Sequence, residues 1–233
     1  MTPGWCKRLA LALALVLLPG AYLSATAPTG DPPPAPKSLR GQFLVATPTM
    51  GDPRFRRTVI LMVKHDSKGA FGIVINRQIG RQTMAQLLEA VGEKTDSQVN
   101  VPVYTGGPVQ PERGFIVHSA DYHRAETRAV DSRLSMTSTK EILVDIARGQ
   151  GPEKWLVAFG YSGWGAGQLE REMARNDWLT APADPRLVFD IDRVKPHRRV
   201  LELLPDLRRL VVHSYWRYWT GDYPRSFYAG IDP

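Results

Sequence analysis

The chain has 233 residues, 43% of them hydrophobic, and a formal net charge of +7, which suits one moderate domain with appendages. Its single cysteine, Cys6, lies near the N-terminus, so neither a disulfide framework nor a cysteine metal site can operate in the body. A basic surplus of this size can face nucleic acid, anionic lipid or acidic ligands, or can simply be a solvated surface.

Residues 1–27 read as an export signal. Lys7 and Arg8 precede the apolar run Leu9 to Leu18, Pro19-Gly20 breaks any helix, and Ala25-Thr26-Ala27 has the small residues of a cleavage site. The apolar run is short for a membrane span. A cut after Ala27 would leave Pro28 just beyond it, so cleavage after Ala25, an uncleaved tether and a start codon set too far upstream all stay open. Losing the leader removes Lys7 and Arg8 and no acid, leaving +5. A periplasmic or inner-membrane-tethered body is expected, with the cytoplasm as the alternative. Residues 28–38 form a proline-rich linker that cannot enter a sheet or helix interior. The folded body is expected over 39–192, with a basic, aromatic-rich extension over 193–233.

Within the body, Gln42 to Ala46 reads as a first strand. Val59 to Val63 and Phe71 to Ile75 are near-continuous apolar runs joined at His65 to Gly69, the signature of a hairpin buried on both faces. Thr83 with Gln86 makes a capping box for a helix whose Met84, Leu87, Leu88 and Val91 form one stripe. Val101 to Tyr104 and Phe115 to Val117 read as strands flanking a Gly106-Gly107-Pro108 turn, and Arg128 to Thr137 offers one or two weaker ones. Ser138 with Glu141 suggests a second capping box, before a helix with Ile142, Leu143 and Ile146 inward. Trp155 to Gly160 reads as a buried strand, followed by a glycine-rich turn and an amphipathic helix opening near Gly165. A last strand is expected at Leu187 to Ile191. Strands and helices interleave without a βαβ rhythm, which points to an α+β fold with a mixed sheet.

The candidate site follows from the turn Gly160 to Gly167. A strand-to-helix turn of glycines can present free N–H groups to an anion, or can let strand and helix pack closely. Its spacing is neither that of a P-loop nor that of a dinucleotide fingerprint. Ser162 has Gly160 two residues before it but Trp164 two after, so a nucleophile elbow is incomplete; His118, His123 and His213 are available as bases. Glu170 and Glu172 are two apart on a helix and diverge by roughly 200°, whereas Gln168 and Glu172 share a face, opposite Ala166, Leu169 and Met173. His118 and His123 lack the spacing of a helical zinc site, and neither a metal nor a cofactor is expected. The expected ligand-binding face therefore combines Gly160, Ser162, Gly163, Trp164, Gly165, Gln168 and Glu172 with Gly106, Gly107 and Arg113. Alanine at Arg113 or Glu172 is expected to spare stability. Seven aromatics between Tyr215 and Tyr228, interleaved with Arg217 and Arg225, could stack bases, meet a membrane interface or dock on the domain.

Three blocks together, GQFLVATPTMGDPRFRRTVILMVKHDSKGAFGIVINR from Gly41, GGPVQPERGFIVHS from Gly106 and GYSGWGAGQLEREMARNDWLTAPAD from Gly160, resemble the YqgE/AlgH family of small bacterial proteins. The resemblance covers roughly Leu39 to Phe189. It implies a compact α+β domain whose bent, mixed sheet closes into a pseudo-barrel, and it implies no established reaction. One branch is named for regulation of alginate production, yet no helix-turn-helix pattern stands in this sequence. The leader and linker depart from the family, most of whose members begin almost at the first strand. The expectation is a non-enzymatic, regulatory domain binding a small ligand or a protein partner. A nucleic-acid-binding regulator and a small serine hydrolase are the alternatives. Membrane contact is expected only through an uncleaved leader.

Overall fold

The computed structural model describes residues 38–189. The leader, the linker up to residue 37, the predicted strand end beyond Phe189, His213 and the aromatic segment 215–228 lie outside the described residues. Strand β1 (Gln42–Ala46) sits beside β2 (Val59–Asp66), which turns at Ser67-Lys68 into β3 (Gly69–Val74). The hairpin is buried on both faces, as its continuous apolar runs predict. Phe43, Val45, Val59, Leu61 and Ile73 enter one core cluster; Leu44, Ala46, Ile60, Met62 and Val74 enter another. Alternate residues of a strand point to opposite faces, so a sheet covered on both sides needs apolar residues at every position.

Strand β4 (Gln78–Thr83) is almost wholly exposed and polar, so no hydrophobic alternation announces it; it is held by its ladder to β5 (Asn100–Thr105). Helix α1 (Met84–Glu89) has the expected capping box, with Gln86 N donating to Thr83 Oγ1 at 3.2 Å and Thr83 N to Gln86 Oε1 at 2.8 Å. Met84, Leu87 and Leu88 are buried, but Val91 lies past the helix end and is 37% exposed. Next come β6 (Val109–Ser119), the short β7 (Arg128–Ala129), β8 (Leu134–Thr137) and α2 (Glu141–Ala147). The capping box predicted at Ser138 is not the helix start: Lys140 is the N-cap and makes no side-chain cap bond. Ile142 and Leu143 are buried as expected.

Strand β9 (Trp155–Gly165) is central. It is followed by α3 (Gln168–Ala174), β10 (Trp178–Pro182) and α4 (Pro185–Phe189). Two expectations are corrected here. The helix expected to open near Gly165 starts at Gln168 and stops at Ala174, with Asn176 in the left-handed region at φ 58°, and the chain then pairs as β10 with β1. The strand predicted from Leu187 is instead helical through Phe189. Asp184 accepts from Arg186 N at 2.9 Å, and Pro185 supplies a helical φ at the first position.

The sheet order is β10-β1-β2-β3-β9-β6-β8-β7, with β5 pairing to β9 and β4 to β5. All pairings are antiparallel except β5 with β9. This mixed, mostly antiparallel sheet curls into a half-barrel around the first cluster, which α4 joins through Val188 and Phe189, while α1, α2 and α3 pack in the other two clusters: an α+β fold. Among the described residues no helix is long and apolar enough to cross a membrane.

Candidate functional site

The glycine-rich stretch does not form a turn. β9 runs through it as far as Gly165, leaving only Ala166-Gly167 to turn into α3, because at Gly160 (φ 72°) the strand changes neighbours. Before that point Val157 to Phe159 lie between β5 and β6; after it, Ser162 to Gly165 pair with Gly72 to Gly69 of β3. Much of the backbone expected to face an anion is therefore engaged in a β-ladder, and Gly165 N donates to Gln168 Oε1 at 3.1 Å.

Gly106 and Gly107 are likewise not a hairpin turn, because β5 and β6 lie on opposite sides of β9. The link between them crosses over β9 in backbone contact. A Cβ on Gly106 would stand 2.2 Å from Gly160 O, one on Gly107 2.2 Å from Tyr161 C, and one on Gly160 2.4 Å from Gly107 O. Only glycine permits that approach. Gly106 N donates to Phe159 O at 2.6 Å, and its carbonyl accepts from Val74 N at 2.8 Å. Ser162 is fully buried under the crossing, and its hydroxyl donates to Gly106 O at 3.4 Å.

His118 is not its partner. It pairs across the sheet with Trp155, seven residues before Ser162, which is about 23 Å of strand at ~3.3 Å per residue. The imidazole is buried against Thr137 Oγ1 (2.9 Å from Nε2) and Ser119 O (2.8 Å from Nδ1). A carbonyl can only accept, so Nδ1 carries the proton and Nε2 accepts from the Thr137 hydroxyl. Burial lowers its pKa, against the opposing pull of the Ser119 carbonyl and Asp121. Beside it, Tyr122 donates to Asp145 Oδ2 at 2.6 Å and Arg124 Nε to the same oxygen at 2.8 Å.

Beyond Gly160 the strand serves a different purpose. Trp164 and Trp178, both buried, each donate an indole N–H to Glu172 Oε2 at 2.8 Å, and Gln168 Nε2 donates to Glu172 Oε1 at 3.0 Å. One carboxylate thus ties α3 to β9 and β10. Phe55 stacks on Trp164 (centroids 6.5 Å apart) and meets Trp178 edge-on at 5.6 Å. Glu170 points elsewhere, as the helical rotation predicts. Its Oε1 lies 2.9 Å from Nε2 of the buried His65, whose Nδ1 accepts from Leu39 N at 3.1 Å. The backbone N–H at the helix start, and then His65, hold the Glu170 carboxyl below its usual range.

An open cleft of about 500 Å³ lies over this aromatic group. Of the predicted residues, Gly163, Trp164, Gln168 and Glu172 line it, joined by Phe55 and Pro108. Its mouth carries two ion pairs, Asp52–Arg54 at 2.7 Å and Arg175–Asp177 at 2.8 Å. Gly106, Gly107, Gly160 and Ser162 form the strand crossing, and Gly165 anchors the Gln168 side chain. Arg113 is exposed on β6 with its guanidinium 5.4 Å from the Phe115 ring centre, and does not line the cleft. Phe55 and Trp178 were missed. Phe55 is a lone aromatic among arginines in a loop, and Trp178 follows a stretch of helical spacing with no pattern of its own.

These elements have known counterparts. The model of a family described as AlgH-like matches residues 43–206. The chain belongs to the AlgH-like family. A UPF0301 protein of Ralstonia nicotianae is 42% identical over 174 residues, 74% of this chain and 91% of that protein. One from Jannaschia is 49% identical over 155 residues, 65% of this chain and 81% of its own. The solution structure of the AlgH protein from Pseudomonas aeruginosa superposes with a TM-score of 0.62 at 36% identity, covering 81% of this chain and 96% of that one. A crystal structure of a Corynebacterium diphtheriae protein, at 24% identity and a TM-score of 0.60, covers 72% of this chain and 88% of its own and shares the fold. The cleft residues, 49–55, 108–109 and 163–177, all fall inside the AlgH-like match.

Proposed function

We propose that this AlgH-like chain is a non-enzymatic, regulatory domain that binds a small ligand or a protein partner through the cleft formed by residues 49–55, the Gly163–Trp164 end of β9, and α3. The observation that carries this reading is the character of the cleft. It is an open hollow several hundred Å³ in size, with Phe55 and Trp164 among charged and polar neighbours, holding a carboxylate whose bonds come from uncharged donors, two indoles and an amide. Concave, largely apolar surfaces with a few fixed polar groups are the usual form of ligand sites. The burial of Ser162 under the 106–107 crossing favours binding over the hydrolase alternative. The nucleic-acid alternative rests on charge and on the segment 215–228; the described helices have five to seven residues, short for a recognition helix.

Phe55→Ala and Gln168→Ala test the cleft, because they alter its lining and leave the indole bonds of Glu172 in place. Titration with a fragment set of aromatic acids and amines is expected to shift backbone amides at 49–55 and 163–168, and each variant to weaken that response at least tenfold. Shifts that cluster elsewhere on the folded domain overturn the reading.

The leader supports a body facing the periplasm. Alkaline phosphatase fused after Arg40 is expected to be active in intact cells of the native host. An expressed but inactive fusion restores the cytoplasmic alternative.

A further inference from the structure

Next to the aromatic cleft, and sharing Arg54, Phe55 and Pro108 with it, is a smaller cavity of about 190 Å³ walled by Val74, Arg77, Thr105 and Gly107. Arg77 is half-buried there. One of its terminal nitrogens donates to Arg56 O at 2.8 Å and the other to Arg54 O, so the side chain ties the 52–57 loop to the sheet. A guanidinium has five N–H donors, and these two bonds leave three. No carboxylate pairs with Arg77 among the described residues, whereas Arg54 at the same cavity is neutralised by Asp52. Burial lowers the pKa of Arg77, the mark of a charge removed from water with no counter-charge supplied.

Two further donors stand at the same wall. The Thr105 hydroxyl and the Gly107 N–H have no hydrogen-bond partner among the described residues, although the Thr105 N–H is used on Arg77 O at 2.9 Å. Gly107 is buried, so an unused N–H there carries a desolvation cost that a ligand acceptor would relieve. A half-buried cation, a hydroxyl and a backbone N–H around one small cavity describe a site for a compact oxyanion, whose two or three oxygens a planar guanidinium engages side by side.

We propose that this cavity is an oxyanion subsite, taking the carboxylate or phosphate group of a ligand whose apolar body lies across Phe55 and Pro108 into the aromatic cleft. The position of the ligand's body rests on the binding role given to that cleft; the anion site itself does not. The same cavity explains why the 52–57 loop is fastened by an arginine: the tie that orders the loop also sets the cation in place.

The test uses the full chain and two simple probes, inorganic phosphate and acetate, against chloride at matched ionic strength. The readouts are the Arg77 Nε–H and Gly107 N–H resonances. A saturable shift of both with phosphate or acetate, in the millimolar range and not with chloride, is expected. Saturation by phosphate alone assigns a phosphorylated ligand, and saturation by acetate with equal affinity assigns a carboxylate. Arg77→Lys keeps the charge but loses the fork, and is expected to weaken binding at least tenfold. Thr105→Val leaves the Arg77 loop tie intact and is expected to weaken it several-fold, so the test survives if the Arg77 variant fails to fold. Responses equal to chloride, or unchanged in Thr105→Val, overturn the subsite. Gln168 lines only the larger cleft and Thr105 only the smaller cavity, so Gln168→Ala and Thr105→Val let the cleft and the subsite fail separately.

Discussion

The two halves of β9 are built on different principles. From Trp155 to Phe159 the strand lies between two neighbours, sending Leu156 and Ala158 into the barrel and Val157 into the layer beneath α1 and α2. Its order comes from apolar burial on both faces. From Tyr161 to Gly165 the strand pairs chiefly with β3, carries two glycines, and is covered by Phe55, Trp178 and α3, held together through one carboxylate. The polar clusters at the two ends differ in kind as well. Asp145 is balanced by the Arg124 guanidinium, while Glu172 draws on neutral donors beside an open cleft. A side chain whose charge is met inside the protein supports the fold. One whose charge is left over beside a cavity can also meet a ligand.

The largest effect is expected where the halves join. Gly160→Ala places a Cβ 2.4 Å from Gly107 O at a φ of 72° and should cost about 3 kcal/mol or more, from left-handed strain plus the clash with backbone. Urea unfolding measures it. A loss under about 1 kcal/mol would mean that the crossing of the 106–107 link over β9 is looser than drawn.

Glu172→Ala comes next, and here the structure reverses the expectation that the substitution is harmless. It strips the acceptor from two buried indole N–H groups and should cost about 2–4 kcal/mol, whereas Glu172→Gln keeps an acceptor oxygen and should cost about 1 kcal/mol. Hydrogen exchange sharpens the comparison. Protection should fall across 161–178 and stay high at 155–159. An equal fall in both would show that β9 is a single cooperative unit.

A smaller, pH-dependent effect belongs to the first half. Burial holds the folded-state pKa of His118 below the ordinary histidine value of 6.5, so on acidification the unfolded chain takes up the proton first. The contribution of His118 to stability is complete above about pH 6.5 and falls as the pH drops below it, with a slope of at most one proton. Urea midpoints for His118→Gln should lack that part of the slope between pH 7.5 and pH 5. A wild-type slope retained by the variant would assign it to other groups.

Much of this molecule is determined by local sequence. Continuous apolar runs mark β1, β2, β3 and the first half of β9, because burial on both faces leaves no polar position to confuse the pattern. The Thr83–Gln86 box marks α1 because a cap bonds within four residues. The helical period correctly separated Glu170 from Glu172 and paired Gln168 with Glu172. What tertiary structure alone decided is everything that depends on a distant partner. Polar β4 is a strand because β5 supplies its hydrogen bonds, and the stretch from Gly160 is a strand because Gly69 to Gly72 lie alongside it. Gly106 and Gly107 are glycines because Gly160 and Tyr161 pass within a backbone's reach. Phe55, Arg77, Thr105 and Trp178 are far apart in the chain and carry no shared spacing; the curl of the sheet brings them to two adjoining hollows. A sequence records what each residue demands of its neighbours along the chain, and contacts that span a hundred residues appear only once the sheet has closed.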